Sequence, residues 1–248
     1  EDIQLPPNFM GGHPFDNGCL RIRDEELAPF PRDPDDTRQQ IMEYYAMISH
    51  ADARIGDVMN ALEAKGMLED TIIVFACDNG LAVGQHGLFG KQNLYEHSIR
   101  VPLIFAGPGI PKGVTTESFA YLLDIFPTLC ELADIDIPDT VDGESLVGVL
   151  QDQNEIVRPF TFHAYAELQR AVRTGKYKLI EYVVGGKHTV TQLFDLESDP
   201  AELDNLAYLG EYSELVEDLR EELWNLARKW DDEKSEWGEK FWSRYDRG

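Results

Sequence analysis

Apolar residues first repeat at helical spacing early in the chain: Ile41, Tyr44, Tyr45, Ile48, Ile55, Met59 and Leu62 predict an amphipathic helix, with Asp36 as its N-cap and Gly66 as its C-terminal stop. The period then disappears. Residues 71–76 form a continuous apolar, β-branched run, which reads as a strand covered on both faces and central in a parallel sheet. A loop punctuated by Gly80, Gly84, Gly87 and Gly90 follows, and then a second apolar run at 101–106 with Pro102 near its start, where a missing N–H is tolerable. Residues 122–133 read as a helix and 146–150 as a shorter one. Helix followed closely by strand predicts an α/β layer architecture.

Beyond residue 157 the texture changes. Residues 160–167, 171–173, 177–184 and 189–196 read as strands separated by turns, with Gly185-Gly186 as a hairpin, so a small antiparallel sheet is expected. Leu215, Leu219, Leu223, Leu226 and Trp230 then mark an amphipathic helix. The tail carries Trp237, Phe241, Trp242 and Tyr245, too many aromatics to expect in solvent. At the other end, residues 1–35 are rich in Pro and Gly but interspersed with Phe9, Phe15 and Phe30, which predicts a packed loop rather than a disordered tail. The organisation expected is a main α/β portion over 1–156 and a small α+β portion over 157–248.

Charge narrows the function classes. The 248 residues carry 22 Lys and Arg against 46 Asp and Glu, a formal charge of −24. Nucleic-acid binding needs clustered cations to neutralise phosphates, so that class is disfavoured, as is general attraction to an anionic membrane surface. No apolar run of about 18 residues is present, so no membrane span is expected. Cys19, Cys77 and Cys130 lie far apart and match neither a disulfide framework nor a zinc spacing. The chain opens Glu1-Asp2-Ile3 with its first Met at Met10, which reads as the interior of a longer polypeptide.

The strongest chemical signal is Asp78-Asn79-Gly80 at the exit of the first apolar run. Ligands of open α/β sheets bind outside the carboxyl ends of strands. A carboxylate and an amide there both present oxygen, which suits a hard divalent cation, although the same three residues also suit a plain turn. Lys91, on the glycine-rich loop, is placed to hold an oxygen of an anionic ester. His86 could exchange protons near neutral pH or could only hydrogen-bond the backbone.

The ordered series Asp78-Asn79-Gly80, Gly84-Gln85-His86-Gly87, Gly90-Lys91, Tyr95-Glu96 and Arg100-Val101-Pro102-Leu103 resembles the second half of a formylglycine-dependent sulfatase of the alkaline phosphatase superfamily. Asp124-Ile125-Phe126-Pro127-Thr128-Leu129, Asp142-Gly143-Glu144-Ser145-Leu146, Arg173-Thr174-Gly175-Lys176-Tyr177-Lys178 and Leu193-Phe194-Asp195-Leu196 extend the resemblance over roughly residues 1–230. It implies part of an alkaline-phosphatase-like sandwich with a mostly parallel sheet, followed by a small antiparallel sheet and a C-terminal helix. It implies Asp78 and Asn79 as ligands of a divalent cation, Ca²⁺ in preference to Mg²⁺, and Lys91 as the sulfate contact. For His86 it implies a place beside the pocket and no defined role. Glu96 and Arg100 are opposite charges expected to pair for structural reasons.

The family nucleophile arises from Cys or Ser in a Cys/Ser-x-Pro/Ser-x-Arg motif, and none of the three cysteines here is followed by that pattern. The resemblance therefore implies a chain that holds the C-terminal part of a sulfate ester hydrolase and is inactive by itself, with an incomplete cation site. The partners expected are a sulfated small molecule or glycan and either the missing N-terminal half or a second copy. A phosphate or phosphonate ester hydrolase of the same superfamily and a non-catalytic scaffold are the alternatives. A periplasmic or secreted compartment is favoured over the cytoplasm because microbial sulfatases are often exported.

Overall fold

A computed structural model describes residues 3–246. The first helix, α1 (Pro34–Ala64), is capped by Asp33 rather than by Asp36: the Asp33 carboxylate accepts from the Asp35 and Asp36 amides at 2.8 and 3.0 Å. Pro34 then occupies the first helical position, where its missing N–H costs nothing, and that fixes the start three residues early. At the other end Gly66 takes a left-handed backbone (φ 65°), and the Met67 amide donates back to the Leu62 carbonyl at 3.0 Å, so the helix stops where expected.

Two compact units are present. One gathers the chain up to Met42, Asn79–Arg100, and everything from Phe160; the other comprises Glu43–Asp78 and Val101–Pro159.

The second unit contains the remainder of α1, β1 (Ile73–Ala76), β2 (Leu103–Ala106), α3 (Ile125–Leu132) and α4 (Val147–Gln151). Here the expectation of a central parallel strand is corrected: β1 pairs antiparallel with β2, in a two-stranded sheet, with Phe75 opposite Ile104. Those two side chains are 38% and 56% exposed, so this face of the pair is uncovered. An apolar β-branched run reports that a strand can be buried; it carries no information on the direction of its neighbour. Of the α1 stripe, Ile41 is buried, whereas Tyr45, Ile48 and Ile55 are exposed. The unit's organising polar group is Asp124, fully buried. It pairs with Arg158 at 2.6 and 2.9 Å and accepts from the amides of Tyr121 and Glu144. Two of the segments that carry the family resemblance are thereby tied together through one carboxylate.

The first unit is built on a four-stranded antiparallel sheet in the order β3 (Thr161–Tyr165), β4 (Gln169–Arg173), β5 (Tyr177–Val184), β6 (Lys187–Asp195), with Gly185-Gly186 closing the last hairpin as expected. Both faces are covered, which is why β5 shows six consecutive buried residues instead of alternation. On one face Val172, Leu179 and Leu193 pack against Val216, Leu219 and Leu223 of α5 (Ser213–Lys229). On the other, Ala171, Ile180, Tyr182 and Phe194 pack against Ala82, Leu88, Leu94 and Tyr95 of the glycine-rich loop. Each face also buries one charge of β5 that the covering layer answers. Lys178 meets Glu96 of α2 (Glu96–Ile99) at 3.0 Å and Glu202 at 2.5 Å; Glu181 meets Arg220 of α5 at 2.8 Å. The tail docks through α6 (Glu236–Trp242), with Phe241 fully buried and Trp242 edge-on to Trp224 at 4.8 Å, while Trp237 stays exposed. No described helix is long and apolar enough to cross a membrane.

Candidate functional site

The loop between the two apolar runs is held to the small sheet along its length. Tyr95, fully buried, donates its hydroxyl to Gln192 at 2.9 Å, and Tyr182 does the same from the sheet side. Burial also pushes the Tyr95 hydroxyl well above its ordinary pKa, so it stays protonated. Glu96 pairs with Arg173 at 3.1 Å and with Lys178, instead of with Arg100 as expected from the sequence. Burial alone would raise the Glu96 pKa, but the two cations outweigh it and hold the carboxyl below its ordinary range. Glu202 shares Lys178 and is raised by burial, which the single cation does not offset.

Asp78 is exposed, two residues beyond the end of β1, and closes the second unit; Asn79 and Gly80 open the loop portion of the first. Asn79 is half-buried and its amide donates to the Gly80 carbonyl at 2.9 Å. Gly80 is fixed by close approach: its amide donates to the Ser98 carbonyl at 2.9 Å, and a Cβ there would lie 1.9 Å from the His97 carbonyl oxygen. No other residue fits, which makes this turn an anchored feature and not a generic Asn-Gly reversal.

Lys91 is exposed on a bend, directly after a clamp. The buried carboxylate of Glu25 accepts from the amides of Phe89 and Gly90, both at 2.9 Å, and pairs with the buried guanidinium of Arg32 at 2.5 Å. Arg32 in turn donates to the carbonyls of Glu25, Ala28 and Gly87. On the far side, the Gln92 amide oxygen accepts from the Lys91 amide at 2.9 Å and its nitrogen donates to Asp24 at 2.7 Å. The backbone at Lys91 is therefore set from both sides while its ammonium reaches solvent.

His86 is elsewhere, inside the fold. It is 3% exposed, and its ring stacks on Tyr95 with centroids 3.9 Å apart and planes at 11°. Its Nε2 lies 3.1 Å from the Asn8 amide nitrogen, which donates to it, and its carbonyl accepts from His13 Nδ1 at 3.0 Å. Burial, with the neighbouring His13 and Lys178, lowers its pKa to about 3, so the ring is neutral at physiological pH and committed to packing. His97 joins the same stack 5.7 Å from Tyr95 and is also held neutral by burial. Sequence reasoning did not find the Glu25–Arg32 clamp or the fully buried Lys178, because nothing local distinguishes them from surface charges.

Asp78 and Asn79 offer the oxygen donors a hard cation takes, yet such cations take about six to eight ligands. Among the described residues no group of three or more His, Cys, Asp or Glu side chains is arranged to hold a metal ion. The pair is of the right chemical kind and too few to form a site by itself.

The sheet-anchored loop and the α/β layers define a chain of the alkaline-phosphatase-like fold. Residues 8–135 match the family described as "Sulfatase", and residues 84–229 match "N-sulphoglucosamine sulphohydrolase, C-terminal". The chain belongs to the sulfatase family. It is 34% identical to arylsulfatase K of Mus musculus over 196 residues, covering 74% of this chain and 35% of that protein. It is 30% identical to a sulfatase of Formosa agariphila over 239 residues, covering 95% of this chain and 46% of that protein. The chain thus spans between about a third and just under half of the length of these relatives. Among solved structures, a putative sulfatase from Bacteroides thetaiotaomicron superposes with a TM-score of 0.80 at 25% identity, covering 93% of this chain and 53% of the other. BT4656, solved in complex with its substrate D-glucosamine-2-N,6-O-disulfate, gives a TM-score of 0.73 at 29% identity, covering 79% and 42%. A phosphonate monoester hydrolase of Agrobacterium radiobacter gives 0.74 at 25% identity, covering 86% and 47%.

Proposed function

We propose that this chain is the C-terminal part of a sulfatase that hydrolyses a sulfate ester, R–O–SO₃⁻ plus water giving R–OH and hydrogen sulfate. One observation carries the reading: in a member of the sulfatase family, the buried Glu25 carboxylate fixes the backbone ahead of an exposed ammonium, that of Lys91. Lys91 would hold a sulfuryl oxygen and stabilise the negative charge that gathers there as sulfur is attacked. Asp78 and Asn79 would supply two oxygen ligands to a divalent cation, Ca²⁺ in preference to Mg²⁺, whose chemistry when bound would be to stabilise negative charge. His86 would act only by supporting the loop. The nucleophile, with the remaining cation ligands, would come from sequence outside these 248 residues, so the chain alone would not turn over.

The uncovered apolar side chains of the second unit, Phe75 and Ile104 among them, would be covered by that same portion or by a second copy. The substrate class we assign is a sulfated glycan or small molecule, supported by the disulfated glucosamine bound in BT4656. Export to the periplasm or beyond is part of the same proposal. The similarity to a phosphonate monoester hydrolase favours one second reading, a phosphate or phosphonate ester substrate.

The test is release of sulfate from glucosamine 6-sulfate and 4-nitrophenyl sulfate by a full-length parent protein, with phenyl phosphonate esters in parallel. Lys91→Ala should lower kcat/KM for sulfate esters at least 100-fold while leaving stability within about 0.5 kcal/mol, as for an exposed side chain. Phosphonate esters turned over faster than sulfate esters would replace the reading with the second one. Turnover by the 248-residue chain alone would refute the placement of the nucleophile.

A further inference from the structure

Inside the first unit an unbroken line of bonds runs to the Asn79-Gly80 turn from a residue that the proposed chemistry leaves unused. That residue, Glu202, is buried and holds a left-handed backbone (φ 58°), which a residue with a side chain keeps only where its surroundings enforce it. Here they do. The Glu202 amide donates to the Asp199 carbonyl at 3.1 Å, and the preceding carbonyl, that of Ala201, accepts from the Asn8 side-chain amide at 2.8 Å. The direction of the carboxylate is thereby set although it lies on neither helix nor strand.

Both of its oxygens face the support of the loop. Oε2 accepts from the backbone amide of Glu96, the first residue of α2, at 2.8 Å, and Oε1 lies 2.5 Å from Lys178 Nζ. Lys178 in turn donates to the Glu96 carboxylate at 3.0 Å. Glu202 therefore grips Glu96 twice, directly at the backbone and through the lysine. Arg173, from the neighbouring strand β4, donates to the same Glu96 oxygen at 3.1 Å, so two carboxylates and two cations balance. What this quartet fixes is α2, and α2 holds the turn. The Ser98 carbonyl accepts from the Gly80 amide, and the His97 carbonyl fills the space where a Cβ at position 80 would go. The Asn79 side chain follows that backbone, because its Nδ2 donates to the Gly80 carbonyl.

Glu181 supplies the comparison. It is an equally buried carboxylate on the other face of β5, but its partners, Arg220, His188, Thr191 and Tyr245, belong to α5, β6 and the C-terminal tail.

We propose that Glu202 is a positioning residue for the Asn79-Gly80 turn: through Lys178 and Glu96 it fixes where α2 stands, and α2 fixes the backbone from which Asn79 presents its side chain. The inference takes its functional meaning from the reading of Asn79 as a cation ligand and deepens that reading by naming what aims the ligand.

The experiment compares Glu202→Gln and Glu202→Ala with Glu181→Gln in the full 248-residue chain, by amide hydrogen exchange followed by NMR. Exchange at Gly80 is read against exchange at Ile180 in the middle of β5, which reports general loss of stability. Glu202→Gln sets an N–H against Lys178 and removes one charge-assisted bond, so the Gly80-to-Ile180 ratio should rise about tenfold. Glu202→Ala, which also strips the Glu96 amide of its acceptor, should raise it further. Glu181→Gln should leave it within about twofold, since the lost bonds lie away from α2. A ratio that stays within twofold in Glu202→Gln, or that rises as much in Glu181→Gln, overturns the proposal. In the full-length parent protein, Glu202→Gln should weaken Ca²⁺ binding by about tenfold in calorimetry, and Glu181→Gln should not. A raised Gly80 ratio with unchanged Ca²⁺ affinity would uphold the positioning of the turn and count against Asn79 as a ligand. Weaker Ca²⁺ binding with the Gly80 ratio unmoved would sink the positioning and leave the ligand reading in place.

Discussion

Replacing Glu25 with Ala asks whether one buried carboxylate sets the loop ahead of Lys91. Glu25 is 3% exposed, accepts from two backbone amides, and is the counter-ion of Arg32, itself 2% exposed. The substitution leaves a buried guanidinium without its carboxylate and strips the Phe89 and Gly90 amides of their acceptor. Removing one partner of a buried pair costs about 3–5 kcal/mol. Each orphaned amide would add about 1–3 kcal/mol if no water reached it, but these costs overlap when the loop relaxes. Arg32 keeps three carbonyl acceptors, which pulls the total toward the lower end. The net expected is about 3–4 kcal/mol, or roughly 6–16 °C in Tm at about 2–4 °C per kcal/mol for a chain of this length. Glu25→Gln keeps one acceptor oxygen but turns an amide N–H toward a donor, so about 1–2 kcal/mol is expected. Urea unfolding followed by tryptophan fluorescence is the assay, since all four Trp residues lie in the same unit as Glu25. Amide chemical shifts of Gly90 and Lys91 report the loop. A loss under about 1 kcal/mol for Glu25→Ala, with those shifts unmoved, would refute the reasoning.

Gly80→Ala drives a Cβ against the His97 carbonyl and should cost about 1–3 kcal/mol or more, whereas Gly175→Ala meets nothing within 4 Å and should fall within about 0.5 kcal/mol; thermal melts compare them. The buried histidines make the first unit acid-labile. Their folded pKa values lie below the unfolded 6.5, to about 4 for His13 and about 3 for His86 and His163, so the unfolded chain binds protons first. The stability they contribute is complete above pH 6.5 and falls as pH drops toward 4, by up to about 1.4 kcal/mol per pH unit for each histidine. A urea midpoint that does not move between pH 7 and pH 5 would contradict this. Lys178→Met leaves Glu96 and Glu202 buried without a shared cation. It should destabilise by about 3–5 kcal/mol at pH 7. The deficit relative to the parent chain should shrink at pH 5, because carboxyls raised in the folded state bind protons there more readily than in the unfolded chain.

Several elements were legible without coordinates. The small sheet, its Gly185-Gly186 hairpin, the helix at Ser213–Lys229 and the end of α1 at Gly66 follow from period, turn residues and capping, all of which act over a few neighbouring positions. The start of α1 was misassigned from Asp36 because two acidic residues follow Pro34 and only the bonding from Asp33 chooses among them. The ordered motifs from Asp78 to Leu103 were likewise sufficient to point to the sulfatase family.

What sequence by itself determined, then, was the set of elements and the family, since both are written in local spacing and residue order. Tertiary structure alone decided the direction in which β1 pairs, the inward turn of His86 onto Tyr95, and the assignment of Glu96 to Lys178 and Arg173. It alone also set Glu25 behind the Lys91 loop, 64 and 65 residues from the amides it holds. Each of these depends on groups far apart in the chain, and a buried charge looks the same in sequence as a solvated one until its counter-ion arrives across the fold.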